Sequence, residues 1–379
     1  MTDQTIENAG KSAQIGGLRA WVIWLLGAAT FGYAFFHRVA PAVMVEDLMR
    51  EFTVGGAIIG NLSAIYFYSY AGLQVPIGIL LDRWGARRNL VAALAIAAIG
   101  SFLFSYASTI SQAYVGRFFI GMGSAVGFLG TLTLVSRWFP PNRFAFFSGM
   151  TMLVAMLAAI GSQGPLAAVV ELIGWRDMIF YGGLLGVALA VMVLLVVKND
   201  PDPATGKAQN HQSWGDFGSA LIIALKNPQI WYVAVMSTCL AGFMLGFGGL
   251  WGVPYLVAKY ALSRPEAAFY ASFVFMGWAI GAPLGGWSAD HVGRRKLPML
   301  IASIIHTVLL FSLFLVPGLP VAVSAILILS AGVAAGFMVN AFAYAREITN
   351  PRVHGAVSGV INGFTVGSGA ILQPLMGYL

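Results

Sequence analysis

The sequence predicts an all-α membrane protein built as two pseudo-symmetric helical bundles, and three observations carry that prediction. Hydrophobic residues make up 59% of the 379 and charged residues 9%, with a mean hydropathy of +0.81. Soluble domains carry about 25% charged residues, so a water-soluble fold would lack polar surface. Apolar runs of about 20 residues, the length that crosses a bilayer as a helix, recur eleven times along the chain. Finally, Gly78-Ile-Leu-Leu-Asp82-Arg83-Trp-Gly85-Ala-Arg87-Arg88 returns as Gly286-Trp-Ser-Ala-Asp290-His291-Val-Gly293-Arg294-Arg295-Lys296, 208 residues later. Glycine, aspartate and glycine keep their spacing, and each copy closes one apolar run and opens another.

In order, a polar tail (1–19) precedes six spans at 20–44, 57–81, 89–110, 113–136, 144–171 and 177–198. These form a first bundle, 20–198. Residues 199–227 are rich in Pro, Gly and Asn and read as a linker, with a short amphipathic helix expected near Trp214–Leu225. Five more spans (7 to 11) follow at 228–256, 266–288, 297–316, 320–345 and 355–379, making a second bundle, 228–379. A six-plus-six pattern would require a twelfth helix after Leu379, so eleven of an expected twelve are visible. Glycines inside the spans suit the close helix approach seen in membranes.

Charge distribution sets the expected orientation. With the N-terminus in the cytoplasm, fifteen of the 21 Lys and Arg fall on the cytoplasmic side and four on the other; Arg38 and Arg117 lie within spans. That is the bias of a cytoplasmic N-terminus, and it accounts for the net charge of +7 without nucleic acid. The first apolar run is too long for a cleavable signal. Cys239 is the single cysteine and excludes an intrachain disulfide. Short loops favour a bacterial inner membrane.

The duplicated motif resembles the cytoplasmic loop signature of major facilitator superfamily (MFS) transporters. Arg117-Phe-Phe-Ile-Gly121-Met-Gly123 in span 4 resembles that family's second signature. Asn142-Arg143 to Gly149 with Gly161-Ser-Gln163-Gly164-Pro165 partly resembles its antiporter signature, although Ala168 and Val169 stand where two glycines are expected. The resemblance covers essentially the whole chain. It implies a secondary transporter working by alternating access, with a conformational gate at Gly78, Asp82, Arg83, Gly85, Arg88, Arg117, Gly286, Asp290, Gly293 and Arg294. Asp82 is expected at the start of span 11 and Asp290 at the start of span 5, where a carboxylate favours a helix N-terminus.

For the cargo, span 1 offers Tyr33, His37 and Pro41 on one stripe, with Arg38 about 100° round and ~26 Å along the helix from Trp21. Phe36-His-Arg-Val-Ala-Pro41 looks like span 1 of the family's anion carriers, and a guanidinium in low dielectric attracts carboxylate or phosphate. The competing reading has Arg38 reaching outward to Glu46 or Asp47. Tyr66, Tyr70 and Gln74 form a stripe on span 2 that either lines a cavity or packs between helices. Gln163 and Gln373 superpose when the halves are aligned, and they flank a cavity or bond between helices. Trp251, Asn340, Tyr344 and Asn362 complete the candidates, while His306 is expected to be structural.

Every acidic residue lies at a span end or in a loop, so the sequence offers no buried carboxylate as proton carrier. His37 is the alternative titrating group, and uniport or exchange stay open. Enzyme chemistry is not indicated: no metal-binding His-Glu-x-x-His, paired intramembrane aspartates or cysteine cluster occurs, and no phosphate-cradling loop for ATP. No cofactor or metal is expected. Partners are a small solute that is anionic or zwitterionic, a proton or counter-substrate, and membrane lipids, with the protein a monomer. The alternatives are an efflux pump and a non-transporting sensor or assembly factor.

Overall fold

The computed structural model describes residues 16–201, 214–350 and 353–378, and among them there are helices and no strands. Among the described residues, ten helices are long and apolar enough to cross a membrane. The predicted second span is not among those ten, yet it is helical: Gly56–Ser105 runs as one 50-residue stretch that breaks at Gly85 (φ 74°, ψ 165°). The predicted break between spans 5 and 6 falls at Gly174 (φ 82°, ψ 159°), where Gly164–Val196 turns, and span 5 carries a further interruption between Phe144–Gly161 and Gly164. The amphipathic linker helix is present as Trp214–Lys226.

Proline places the breaks that matter. Span 1 is helical over Leu18–Val39 and tightens to a 3₁₀ turn over Ala40–Val43, with Pro41 at its start. Proline lacks an N–H and cannot accept a helix already in progress, so the carbonyl four residues back, that of His37, loses its partner. Pro374 does the same to the Ala370 carbonyl in span 11 (His354–Tyr378). Both freed carbonyls are taken by side chains from other spans, as described below.

In the first half, span 6 lies across spans 1 and 3. Gly182, Gly183 and Gly186 put its backbone against Phe36, Phe102 and Tyr33, and span 3 is 56% buried over its most apolar window. Its repeat mate, span 9 (Lys296–Leu315), is 28% buried over the same length. Among the described residues nothing in the second half occupies the place of span 6. A largely apolar cavity of about 480 Å³ opens there between spans 7, 9 and 10, lined by Tyr232, Val233, Met236, Leu297 and Leu300.

The halves meet along spans 2 and 11. Gly60 sits directly against the Gln373 carbonyl, leaving no room for a Cβ. Asp47, in the short helix Val45–Phe52, reaches across to Arg264 at 2.6 Å. The void between those segments is only about 10 Å³, at the threshold for holding one water. These contacts lie at the end of the bundle opposite the duplicated loops. At the loop-motif end, the described ion pairs stay local: Arg137–Asp200, Arg295–Asp290 and Arg295–Glu347.

Candidate functional site

Arg38 lies at the centre of the first half, 4% exposed, in a cage of aromatic rings. Its guanidinium carbon is 4.3 Å from the Phe35 ring centroid, 4.9 Å from Tyr70, 5.7 Å from Tyr66 and 5.9 Å from Phe67. Phe35 is one turn back on the same helix; Tyr66 and Tyr70 stack on each other from span 2. The expected alternative, an ion pair with Glu46 or Asp47, does not form: Asp47 is held by Arg264 and Arg50. Nε and Nη2 of Arg38 are buried without a hydrogen-bond partner.

A second guanidinium also approaches Tyr66. Arg117, 1% exposed, has its guanidinium carbon 5.1 Å from that ring. Its Nη1 donates to the His37 carbonyl at 2.8 Å, the group that Pro41 left free. Nε and Nη2 of Arg117 are also unpartnered. A charged residue at a span centre costs about 2.5–3.5 kcal/mol on insertion scales, and each cation–π contact returns roughly 0.5–2 kcal/mol. Rings therefore offset part of the charge but leave the N–H donors unsatisfied. Four buried donor nitrogens thus lie near one tyrosine, with no acid beside them among the described residues.

The rest of the span 1 stripe faces elsewhere. Tyr33 donates to the Gly182 carbonyl of span 6 at 3.1 Å. His37 is fully buried, with Nε2 3.3 Å from Ser101 Oγ of span 3 and its ring edge-on to Tyr33 and Phe36. The 100° that separates Arg38 from this stripe sends Arg38 toward span 2 and the other two toward the outer spans 3 and 6. Tyr66 is fully buried and donates to the Ala34 carbonyl at 3.0 Å.

Gln74 sits between the halves. Its Nε2 donates to the Ala125 carbonyl at 3.3 Å, and its Oε1 accepts from Asn362 of span 11, also at 3.3 Å. Six residues toward the opposite end, the Tyr68 hydroxyl donates to the Ala370 carbonyl, the group freed by Pro374, at 3.1 Å. Tyr68 lies off the Tyr66–Tyr70–Gln74 stripe. An X-x-x-x-Pro carbonyl facing a hydroxyl is the signal that would have found it.

Gln163 and Gln373 share one target. Gln163 Nε2 donates to the Gly248 carbonyl and Gln373 Nε2 to the Leu245 carbonyl, both at 2.8 Å. Both acceptors lie in Met244–Trp251, a π-helical stretch of span 7. Trp251 Nε1 donates back to the Gln373 carbonyl at 2.8 Å. Both glutamines are fully buried, so in this state they bind helices together and line no open cavity. Asn340 likewise bonds the Gly285 carbonyl of span 8 at 3.0 Å, Tyr344 bonds Gln229 at 2.8 Å, and His306 lies 3.0 Å from the Ala331 carbonyl.

The two loop motifs differ in their supports. Gly85 and Gly293 both hold positive φ, 74° and 66°. Around Gly85, Asn89 Nδ2 donates to the carbonyls of Leu80 and Gly85 at 2.9 and 2.8 Å. Asn199 accepts from the Arg87 backbone at 2.9 Å, and the Arg87 guanidinium bonds the Leu194 carbonyl. Arg83 and Arg88 are exposed beside the turn, as are Gly78 and Arg294 elsewhere in the two motifs, while Gly286 is half-buried. In the second copy Asp290 pairs with Arg295 at 2.7 Å, and Arg295 also reaches Glu347 at 3.0 Å. The Glu347 hydrogen bond, joined by the Asp290 charge, pushes the Arg295 pKa above its ordinary value. The side chain of Asp82 lies outside the described residues.

This arrangement, two helical halves meeting along spans 2 and 11 with a charged turn in each, is matched by the sequence profile of the Major Facilitator Superfamily over residues 26–374. The chain belongs to the Major Facilitator Superfamily. It is an integral, multi-pass membrane protein of a transporter family and not an enzyme. It is 23% identical to the probable galactarate/D-glucarate transporter GudP of Escherichia coli K12, over 95% of this chain and 87% of that protein. It is also 23% identical to the probable sulfoacetate transporter SauU of Cupriavidus necator, over 94% and 86%. A putative tartrate transporter of Agrobacterium vitis is 24% identical over 73% and 67%. Among solved structures, the inward-facing, unoccupied bacterial homologue of the human lysosomal transporter Spinster superposes with a TM-score of 0.74 at 18% identity, over 95% of this chain and 82% of that one. The nucleoside transporter NupG gives 0.72 at 16% identity, over 95% and 90%. At such identities the structures establish the fold alone.

Proposed function

We propose that this MFS protein is a secondary carrier of small organic dianions that works by alternating access, with Arg38 as the anchor for a carboxylate. The observation that carries this is the pair of buried guanidiniums, Arg38 and Arg117, with unpartnered donors and no acid beside them. A planar guanidinium presents two parallel N–H groups to a carboxylate, and the aromatic cage around Arg38 excludes competing water. The names of the relatives agree in chemistry: galactarate, glucarate and tartrate are dicarboxylates, and sulfoacetate pairs a carboxylate with a sulfonate. A cation pump would need an acid in that place.

The positive-inside bias supports a cytoplasmic N-terminus in a bacterial inner membrane, which makes the contacting end periplasmic. On that reading the duplicated loops, with Asp82 and Asp290, close the cytoplasmic side in the other half of the cycle. Gln74 and Asn362 line the path beside Tyr70.

The test is direct binding to purified protein, with tartrate and glucarate compared against a neutral polyol and an organic amine. Wild-type protein should bind the two dianions. Arg38→Ala should lose at least a hundredfold in affinity, because an uncompensated buried charge costs about 3–5 kcal/mol. Arg38→Lys should recover part of the loss, keeping charge without the fork. Unchanged affinity in folded Arg38→Ala would reject the anchor.

A further inference from the structure

We infer that the cavity between spans 7, 9 and 10 is a binding site for one phospholipid with an anionic headgroup. An acyl chain fills its apolar depth, and the headgroup phosphate meets Arg294 and Lys296 at its mouth. The inference is independent of the cargo and concerns a separate part of the second half.

The cavity, about 480 Å³, changes character along its length. Gln229, Arg294 and Lys296 line it where spans 7 and 9 begin, and Val233, Met236 and Leu300 line it further in. From Gln229 to Met236 is seven residues of helix, about 10 Å, and over that distance polar lining gives way to apolar. An apolar cavity stays free of water. Tyr232, Leu297 and Leu300 in its wall are exposed, so it opens sideways to the bilayer. Charge at one end and hydrocarbon beyond it is the order of a phospholipid standing in a single leaflet. The charge bias makes that leaflet the cytoplasmic one, whose anionic lipids are drawn to basic clusters between spans.

Charge selects the headgroup. Arg295 engages both nearby carboxylates, Asp290 at 2.7 Å and Glu347 at 3.0 Å. Among the described residues no Asp or Glu lines the cavity, and neither Arg294 nor Lys296 has a carboxylate partner. Lys296 Nζ lies 4.9 Å from the centroid of the Tyr344 ring, whose hydroxyl donates to Gln229. The helices of spans 7 and 9 start at this mouth, with Pro228 and Lys296, so the positive ends of their dipoles add to the field.

The internal repeat shows what such cations engage. In the first half the Arg87 guanidinium donates to the Leu194 carbonyl of span 6 at 3.1 Å, and the Arg87 backbone N–H to Asn199. Span 6 and the residues after it supply the acceptors there. At the matching place of the second half lies the cavity, yet the charge beside it is greater. Arg294 stands where the first copy has the buried Ala86, and Lys296 stands where it has Arg88. An added cation at the mouth of an apolar cavity calls for an anionic acceptor with an apolar body, and guanidinium and ammonium groups both bind phosphate.

The probes are dioleoyl phosphatidylglycerol, which is anionic, and dioleoyl phosphatidylcholine, which is not. Each is titrated into purified protein stripped of lipid in detergent, and bound lipid is counted by native mass spectrometry. One phosphatidylglycerol per chain should bind, roughly tenfold or more tighter than phosphatidylcholine, the preference that two basic side chains beside a headgroup confer. Arg294→Gln combined with Lys296→Gln should bring the two lipids within about twofold of each other. Arg83→Gln combined with Arg88→Gln, in the copy whose neighbouring place span 6 occupies, should leave the preference intact. Leu300→Trp fills the apolar depth and should weaken both lipids. Equal binding of the two lipids by the wild-type protein, or a preference that survives loss of Arg294 and Lys296, overturns the inference. Displacement of the lipid by millimolar inorganic phosphate also overturns it, because the acyl chain would then contribute nothing. A dimer that binds no lipid does the same, with a helix of the second copy as the occupant. The wild-type comparison needs no variant, so the inference can fail even where a variant does not fold.

Discussion

Gly85 and Gly293 occupy matching positions in the two loop motifs but carry different burdens. Gly85 sits at φ 74°, ψ 165°, a region that costs a side chain about 1–3 kcal/mol, and Asn199 is packed against the place a Cβ would take. Gly293 is at φ 66°, ψ 15°, in the left-handed helical region that asparagine tolerates, with open space around it. Gly293→Asn should therefore leave thermal stability in detergent within a degree or two, whereas Gly85→Ala should lower it clearly. Equal melting points for the two variants would show that the turn conformations do not limit stability. At this same scale the sequence set Arg38 apart from Tyr33 and His37 but could not name the partners of each. A helical wheel separates Arg38 from Tyr33 and His37 by 100°; it does not say which face meets span 2 and which meets span 6.

Helices in this fold are joined through carbonyls that the helices themselves release. Pro41 frees the His37 carbonyl for Arg117, and Pro374 frees that of Ala370 for Tyr68. The π-helical stretch Met244–Trp251 offers Leu245 and Gly248 carbonyls to the two repeat-related glutamines. π-helical turns inside longer helices recur at functional positions. The two bonds differ in reach: Gln373 ties span 7 to span 11 within one half, while Gln163 ties span 7 to the other half. Gln373→Leu should accordingly lower stability, the cost of one buried hydrogen bond being about 0.5–1.5 kcal/mol. Gln163→Leu should instead weaken closure between halves, and should raise the labelling rate of a cysteine placed at the half-buried Asn61, beside the Gly60 contact, by a membrane-impermeant thiol reagent, in a Cys239→Ser background. If Gln163→Leu leaves that accessibility unchanged, the bond is packing and not part of the closure.

Across the whole molecule, contact between halves is concentrated at one end. Asp47–Arg264 is the ion pair described there between the halves, with side chains only 13% and 20% exposed, and it was not foreseen, because loop residues far apart in sequence carry no periodic signal. If the halves must part at this junction during each cycle, then tethering Asp47→Cys to Arg264→Cys with a short, reducible thiol cross-linker should arrest transport, and reductant should restore it. The background again requires Cys239→Ser, since Cys239 is exposed. Full transport in the cross-linked protein would place the moving junction elsewhere. The low burial of span 9 belongs to this scale too: its exposed face is the counterpart of the surface that span 6 covers in the first half.

Composition, run length and the duplicated motif were enough to determine the all-helical membrane fold and the family, because a bilayer admits few solutions and each leaves a long, regular trace in the sequence. Arg38 and Arg117 stood out on similar grounds, as rare charges inside spans. Tertiary structure alone decided which groups those charges meet. That Asp47 is engaged by Arg264 and not by Arg38, that Tyr66 meets two guanidiniums, and that Gln163 and Gln373 converge on one helix all depend on packing between segments far apart in sequence, up to 217 residues for Asp47 and Arg264. Side-chain partners across such separations are set by where helices cross, and helix periodicity reports the facing side of each helix without naming what lies opposite.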